Sequence, residues 1–374
     1  MKNVFVLGAG MVGHAIARDL ANRFQVTSVD VSDRALEAVQ KADERIQTRQ
    51  ADLMDFERYT EMLRGADWVV AAVPGFMGYR CLEAIIRAGK SGVDISFFPE
   101  DALQLAGLAK EKNVTIITDC GVAPGMSNLV AGYYSKRMKI EKLSCYVGGL
   151  PKEKTPPFQY KAPFSPIDVL EEYTRPARIK RGGQILTVPA LTEREIRNYQ
   201  QVGELEAFNT DGLRSLLFTL PEIPEMIEKT LRYPGHIDII IALQQAGFFS
   251  EESVVVNGNT VKPLDLSAAL LLKMWKLEPT DDEFTIMEVI LESGDRKIVY
   301  SLYDERDKQT GLSSMARSTG FTCTAALNVL EEGLFKEKGV FPPELLAQQE
   351  GCFEYILAYL SKRNVRWQKE EIKG

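Results

Sequence analysis

The chemistry this sequence can do begins with three glycines and an aspartate near its N-terminus. Val4-Phe5-Val6-Leu7 runs directly into Gly8-Ala9-Gly10-Met11-Val12-Gly13 and then into a helical stretch. In that setting G-x-G-x-x-G is a diphosphate-binding turn. Gly8 permits the tight turn, Gly10 lets the backbone approach a pyrophosphate, and Gly13 lets the helix pack closely on the strand. Free N–H groups and the macrodipole at the helix N-terminus then favour negative charge. Asp30 ends the second strand about twenty residues on, where a carboxylate accepts hydrogen bonds from the ribose hydroxyls of NAD and repels the 2′-phosphate of NADP. Arg34, one helical turn away, softens that preference. Asp52, in Gln50-Ala51-Asp52-Leu53, falls after the third strand, near the adenine. Met11 and Val12 of the turn, Val73 and Pro74 at the end of the fourth strand, and Ser96 after the fifth complete the expected cofactor contacts. A methyltransferase presents a similar glycine loop and acidic strand end, and on these residues alone that reading stays open.

Two further acids fall beside strand ends. Asp94 lies in Val93-Asp94-Ile95-Ser96-Phe97 and Asp119 in Asp119-Cys120-Gly121. The C-terminal ends of strands are where such sheets bind ligands, so both can face the nicotinamide side of a cleft. Short acids also cap helices, and that role is open to both.

The elements that must position these residues follow a clear rhythm. Strand-like segments at Val4–Leu7, Val26–Val29, Trp68–Val73, Val93–Ser96 and Val114–Thr118 alternate with helix-like ones at Gly13–Arg23, Arg34–Arg45, Tyr79–Ala88 and Asp101–Lys112. This is the pattern of a parallel α/β sheet, here a Rossmann domain over residues 1–125. Gly148-Gly149-Leu150-Pro151 and the Pro- and Lys-rich stretch through Pro156-Pro157 read as a surface connection. A mixed α/β unit over 126–312 follows, with strands around Ile185–Val188, Leu205–Phe208, Thr285–Leu291 and Lys297–Tyr303 and a helix at Ile237–Ala246. From Ser314 to Leu334 a helix rich in Ala, Thr and Gly opens a C-terminal segment, 313–374, suited to close packing against another element.

Composition narrows the classes. A formal charge of −7 argues against nucleic acid, because neutralising phosphates needs clustered excess Lys and Arg. The short basic run Arg175-Pro176-Ala177-Arg178 with Lys180 and Arg181 reads as a solvated face or a small-anion site. No apolar stretch approaches the length of a bilayer span, and the N-terminus lacks the features of a signal peptide. A cytoplasmic protein is expected. Five scattered cysteines without a C-x-x-C pair, and only His14 and His236, fit reduced thiols and no metal site.

Longer runs carry a resemblance. Val73-Pro74-Gly75-Phe76, the Asp94 and Asp119 segments with Val122-Ala123-Pro124-Gly125-Met126-Ser127-Asn128, and Tyr146-Val147-Gly148-Gly149-Leu150-Pro151 come first. Ser165-Pro166-Ile167-Asp168 then leads to Glu171-Glu172-Tyr173-Thr174-Arg175-Pro176-Ala177-Arg178. Phe208-Asn209-Thr210-Asp211-Gly212-Leu213-Arg214-Ser215 and Leu231-Arg232-Tyr233-Pro234-Gly235-His236 follow. On these, the sequence resembles the saccharopine dehydrogenase family, above all its L-lysine 6-dehydrogenase branch, over nearly the whole chain. The resemblance implies a Rossmann domain, a substrate and dimerisation domain, and a C-terminal return to the first. It also implies NAD-dependent oxidation of the terminal amine of L-lysine to the 6-semialdehyde, which cyclises, with release of ammonia. Such chemistry needs a neutral amine and a proton acceptor, and Asp94 or Asp119 is the candidate to orient the amine and activate water. The α-carboxylate calls for a guanidinium, with Arg175 and Arg214 preferred over Arg178. Tyr160 and Tyr173 are candidates to wall the aliphatic stem, and Lys161 and His236 to move protons. Imine reductases of the saccharopine and carboxynorspermidine dehydrogenase type are the alternative, and a non-catalytic dinucleotide sensor is a second. A homodimer or larger homo-oligomer is the expected assembly.

Overall fold

The computed structural model describes residues 1–162, 166–278 and 280–373, with the side chains of 166–168 outside that description. The chain divides into two compact units. One takes in Met1–Ile140, Phe218–Pro221 and Met315–Gln368; the other takes in Glu141–Leu217, Glu222–Ser314 and Lys369–Gly374.

The first unit is built on a parallel sheet. Its strands are β1 (Asn3–Leu7), β2 (Gln25–Asp30), β3 (Gln47–Gln50), β4 (Trp68–Ala71), β5 (Ser91–Asp94) and β6 (Thr115–Ile117). They lie in the order β3-β2-β1-β4-β5-β6, with Gly339–Phe341 added in parallel beside β6. Val4, Val6, Leu7, Val69, Val70 and Ala71 are buried, as a sheet covered on both faces requires. The chain works outward from β1 to β3 and then returns to lay β4 on the other side of β1. The crossovers therefore change side at β1 and β4, the position at which doubly wound sheets bind ligands.

The C-terminal segment returns to this unit. Gly320, in the helix Ser314–Glu331, lies so close to helix Met11–Leu20 that an added Cβ would stand 3.2 Å from Ile16 Cγ1. Buried Asp19 of that first helix accepts from Arg363 Nε at 2.6 Å, Tyr359 Oη at 2.8 Å and Thr324 Oγ1 at 2.6 Å. One carboxylate thus ties two C-terminal helices to the start of the fold.

The second unit carries a mixed sheet in the order Glu195–Tyr199, Gly203–Asn209, Glu225–Arg232, Lys142–Pro151, Glu283–Ser293, Arg296–Glu305, Trp367–Lys373, with the hairpin Ala177–Arg181/Gln184–Val188 attached to Glu225–Arg232. Its core gathers Tyr173, Phe208, Leu231, Ile237, Leu271, Trp275 and Phe284.

Several sequence expectations change. Gly148-Gly149-Leu150-Pro151 is no surface connection, because it is the buried end of the central strand Lys142–Pro151. An added Cβ on Gly148 would lie 2.8 Å from Leu231 O, so the glycine answers a neighbouring strand and not a turn. The first unit also runs to Ile140, past residue 125, because helix Met126–Ser135 packs within it. At the other end, the final strand joins the second unit's sheet.

Candidate dinucleotide site and a buried polar cluster

At the end of β1 the backbone turns with Gly8 at φ +102°, a conformation that suits glycine. An added Cβ there would lie 2.2 Å from Ala72 O, and one on Gly13 would lie 2.0 Å from Gly8 O. Gly10 differs: nothing stands within 4 Å of its Cβ position, and it caps helix Met11–Leu20 with no side-chain hydrogen bond and no acid in the first turn. The first intrahelical donor in that turn is His14 N, to Gly10 O at 2.8 Å. The preceding helical N–H groups therefore lack an intrahelical acceptor, and the open side of the turn is a seat for an anion.

Asp30 stands beside this seat. Its Oδ2 accepts from Ala9 N at 2.7 Å and its Oδ1 from Ser32 N at 2.8 Å. Both bonds fix the carboxylate against the turn, and each oxygen keeps a lone pair for a ribose hydroxyl. Arg34 is exposed in helix Asp33–Ala42. Asp52 is exposed as well, and accepts from Met54 N at 2.8 Å in a local turn. Met11 (41% exposed) and Phe76 (67%) stand at the ends of β1 and β4 as large apolar side chains open to solvent. Val73 is buried, whereas Pro74 is exposed and caps helix Gly75–Arg87.

Farther along the strand ends, Asp94 is fully buried. It accepts from Ser96 N at 3.2 Å and from Thr118 Oγ1 at 3.4 Å, while its carbonyl accepts from Cys120 N at 2.9 Å. Asp119 is buried at φ +53°, and Ser96 Oγ is buried with no hydrogen-bond partner among the described residues. Sequence reasoning brought Asp94, Ser96 and Asp119 to one edge of this sheet, and the structure places them at the ends of the paired strands β5 and β6. Burial pushes the thiols of Cys81, Cys120, Cys323 and Cys352 up, which leaves them protonated and unreactive.

The candidates of the second unit are sorted differently by the structure. Tyr160 and Tyr173 belong to the core, with Tyr173 wholly enclosed, so neither ring offers an open wall. Their hydroxyls serve Arg232, which is 2% exposed. Arg232 Nε donates to Tyr173 Oη at 3.1 Å, and Nη2 donates to Tyr160 Oη at 3.4 Å and to Glu172 Oε2 at 2.5 Å. His236 Nδ1 lies 2.8 Å from Phe158 O and Nε2 lies 2.9 Å from Tyr173 Oη. A carbonyl only accepts, so Nδ1 carries the proton and the Tyr173 hydroxyl donates to Nε2. Burial, with Arg232 nearby, pushes His236 down to about 3. It is a neutral anchor, not a proton carrier at neutral pH.

Arg175, just past the end of helix Pro166–Thr174, pairs with Glu171 at 2.8 Å. Arg178 clamps Asp211 through Nε and Nη2, each at 2.8 Å, a structural fork. Lys161 donates to Lys276 O at 3.3 Å. Arg214 is buried at φ +48°, in the left-handed region that non-glycine residues enter rarely. Beside it lies Glu228, a residue that sequence reasoning passed over. It is 5% exposed, its Oε2 has no hydrogen-bond partner among the described residues, and its carboxyl fills the space a Cβ on Gly212 would take. Burial, then the charges of Asp211 and Glu172, push Glu228 up to about 8, against the pull of Arg214.

Among the described residues no helix is long and apolar enough to cross a membrane, and no group of three or more His, Cys, Asp or Glu could hold a metal ion. A parallel sheet in this order, opening on a glycine turn with an acid at the end of β2, defines a Rossmann-type dinucleotide-binding unit. Family models for the saccharopine dehydrogenase NADP binding domain and the saccharopine dehydrogenase C-terminal domain match residues 4–117 and 121–365. The chain belongs to the saccharopine dehydrogenase family.

Relatives place it within broad bounds. It is 24% identical over 329 residues to a saccharopine dehydrogenase (NADP(+), L-glutamate-forming) of Saccharomyces cerevisiae, spanning 84% of this chain and 71% of that one. It is 25% identical over 217 residues to an alpha-aminoadipic semialdehyde synthase of Arabidopsis thaliana, spanning 54% of this chain and a fifth (20%) of that protein. The chain thus spans only part of the curated relatives it matches. A solved structure of apo saccharopine dehydrogenase (L-Glu forming) from Saccharomyces cerevisiae shares the fold over 100% of both chains, with a TM-score of 0.81 at 19% identity.

Proposed function

We propose that this chain is an NAD-dependent dehydrogenase that oxidises the terminal amine of L-lysine. L-Lysine, NAD and water would give the 6-semialdehyde, ammonia, NADH and a proton, and the aldehyde would cyclise onto the α-amine. The observation that carries the cofactor half is Asp30, pinned beside the glycine turn by Ala9 N and Ser32 N. A fixed carboxylate there accepts ribose hydroxyls and repels a 2′-phosphate. Met11, Val12 and Gly13 would hold the diphosphate with their N–H groups, with Asp52 toward the adenine and Val73, Pro74 and Ser96 toward the nicotinamide.

Bound nicotinamide supplies the hydride acceptor. The chain's residues do the rest: they orient the amine, keep its lone pair free and deliver water to the iminium carbon. Asp119 and Asp94 are the acids proposed for orientation and water activation. Arg175 and Arg214 are proposed for the α-carboxylate, each a guanidinium able to fork it. Ser96 Oγ, buried and unpartnered among the described residues, supports the cofactor side of this reading. A homodimer in the cytoplasm is the proposed setting.

A second reading is reductive formation of saccharopine or a similar secondary amine, favoured by relatives whose names carry saccharopine and NADP(+). The discriminating experiment offers the purified protein NAD or NADP with L-lysine, and separately NADH or NADPH with an amine and a keto acid or aldehyde. NADH formation with L-lysine and NAD supports the first reading; coenzyme oxidation only with the amine and a keto acid or aldehyde replaces it with the second.

A further inference from the structure

We propose that Glu228 is the carboxylate that receives the α-ammonium of an α-amino acid, with Arg214 beside it for the α-carboxylate, so that the second unit recognises an amino-acid zwitterion and not a simple amine. This rests on the reading of the chain as an amino-acid dehydrogenase.

Glu228 lies on the strand Glu225–Arg232, beside the loop Thr210-Asp211-Gly212-Leu213-Arg214. Three buried or half-buried carboxyls converge here. Asp211 is forked by Arg178, and Glu172 is bound by Arg232 at 2.5 Å. Glu228 alone of the three keeps an oxygen, Oε2, that is buried and lacks a hydrogen-bond partner among the described residues. Such an atom is costly to enclose unless something comes to pair with it. The loop also makes room for this carboxyl: an added Cβ on Gly212 would fall 1.6 Å from Glu228 Oε1.

The charged groups facing Glu228 fix what it can accept. Asp211 from the loop and Glu172 from helix Pro166–Thr174 repel its ionised form, and Arg214 opposes them. The acid is therefore mostly protonated at neutral pH in the free protein, at about 8. A ligand that brings positive charge relieves the repulsion and ionises the acid. A ligand with a carboxylate next to that charge also meets the buried Arg214 guanidinium, and adjacent ammonium and carboxylate are the signature of an α-amino acid. Binding should then drive one proton off Glu228: its O–H bond breaks, the proton passes to water or buffer, and the ligand is not changed covalently.

The test is calorimetric titration of the full chain, saturated with NAD, with L-lysine in pH 7 buffers of differing ionisation enthalpy. Because the reaction would consume substrate, each titration is repeated with an unreactive nicotinamide-ring-reduced dinucleotide in place of NAD. Beyond any proton lost from the terminal amine, the wild type should release most of one proton per lysine at pH 7 and less at higher pH, following the protonated fraction of Glu228. E228Q should lose that release and bind L-lysine about 10- to 100-fold more weakly, the cost of an unmet ammonium. 6-Aminohexanoate, which has the terminal amine but no α-ammonium, should bind wild type and E228Q alike. Equal lysine affinity and proton release in both proteins overturns the assignment, as does an E228Q defect equally large for 6-aminohexanoate, which would place Glu228 at the reacting amine. Failure of the wild type to bind L-lysine overturns it too. NADH formation from L-lysine, read in parallel, reports separately on the proposed function. The melting temperature of E228Q separates a binding effect from loss of fold.

Discussion

Gly10 and Gly13 lie three residues apart in one turn, and the structure assigns them opposite consequences. A Cβ at position 13 would fall 2.0 Å from Gly8 O and 2.9 Å from Gly8 C, more than an ångström inside normal contact. Helix Met11–Leu20 would have to lift off β1, and overpacking of that kind costs about 1–3 kcal/mol or more. In a unit of this size, G13A should therefore melt about 3–10 °C below wild type. At position 10 the Cβ meets nothing within 4 Å, and replacing an N-cap glycine by alanine costs about 1 kcal/mol or less. G10A should melt within about 4 °C of wild type. What the methyl would meet is the diphosphate. Overpacking there by about 1.4–3 kcal/mol corresponds to a 10- to 100-fold loss of dinucleotide affinity. Thermal scans with and without NAD, and quenching of intrinsic fluorescence by NADH, read both quantities. A stable G10A protein that binds NADH as tightly as wild type would refute the placement of the diphosphate on this turn.

Other perturbations follow from the same geometry. Replacing Asp30 by Ser should remove the repulsion of a 2′-phosphate and move the ratio of NAD to NADP affinity toward NADP by about tenfold or more, measured by parallel titration; an unchanged ratio would clear Asp30 of that role. His236 is depressed to about 3 in the fold against an ordinary value near 6.5. Its neutral form thus contributes stability that is full above about pH 6.5 and is lost as pH falls toward 3, on the order of a few kcal/mol. H236Q should flatten that part of the stability–pH curve, and an identical curve would show that the histidine is not held neutral. Glu228 has the opposite sign: raised to about 8 in the fold, it makes the protein lose stability as pH rises from about 4.5 to 8. E228Q should therefore gain in melting temperature relative to wild type at pH 8.5 more than at pH 5, and a gain of equal size at both would contradict the buried acid.

Much of the first unit was legible because its signals are local. A strand, a tight turn and a helix start are written in adjacent residues, and Asp30 follows at a spacing set by one helix and one strand. β3 was harder to see, since Gln47–Gln50 is a polar edge strand with little burial. Gly148-Gly149-Leu150-Pro151 misled because glycine and proline signal turns, whereas here the missing side chains make room for the neighbouring strand Glu225–Arg232. Glu228 escaped notice, and Arg232 entered only within a longer run, for a related reason. Glu-Met-Ile-Glu-Lys-Thr-Leu-Arg reads as a solvated, charged stretch, and only pairing with Lys142–Pro151 and Gly203–Asn209 buries it. The alternation of Glu228, Thr230 and Arg232 along one face was the available signal. That Arg178 forks Asp211, 33 residues on, could not be read from the sequence.

The most direct test of the central claim follows the hydrogen itself. The wild-type protein is given NAD and L-lysine carrying two deuterium atoms on the carbon that bears the terminal amine, and the products are weighed by mass spectrometry. Direct transfer to a dinucleotide predicts NADH with one deuterium and a cyclised product retaining the other. Unlabelled NADH, or no reduced coenzyme while an amine and a keto acid or aldehyde are joined at the expense of NADH or NADPH, would contradict the account.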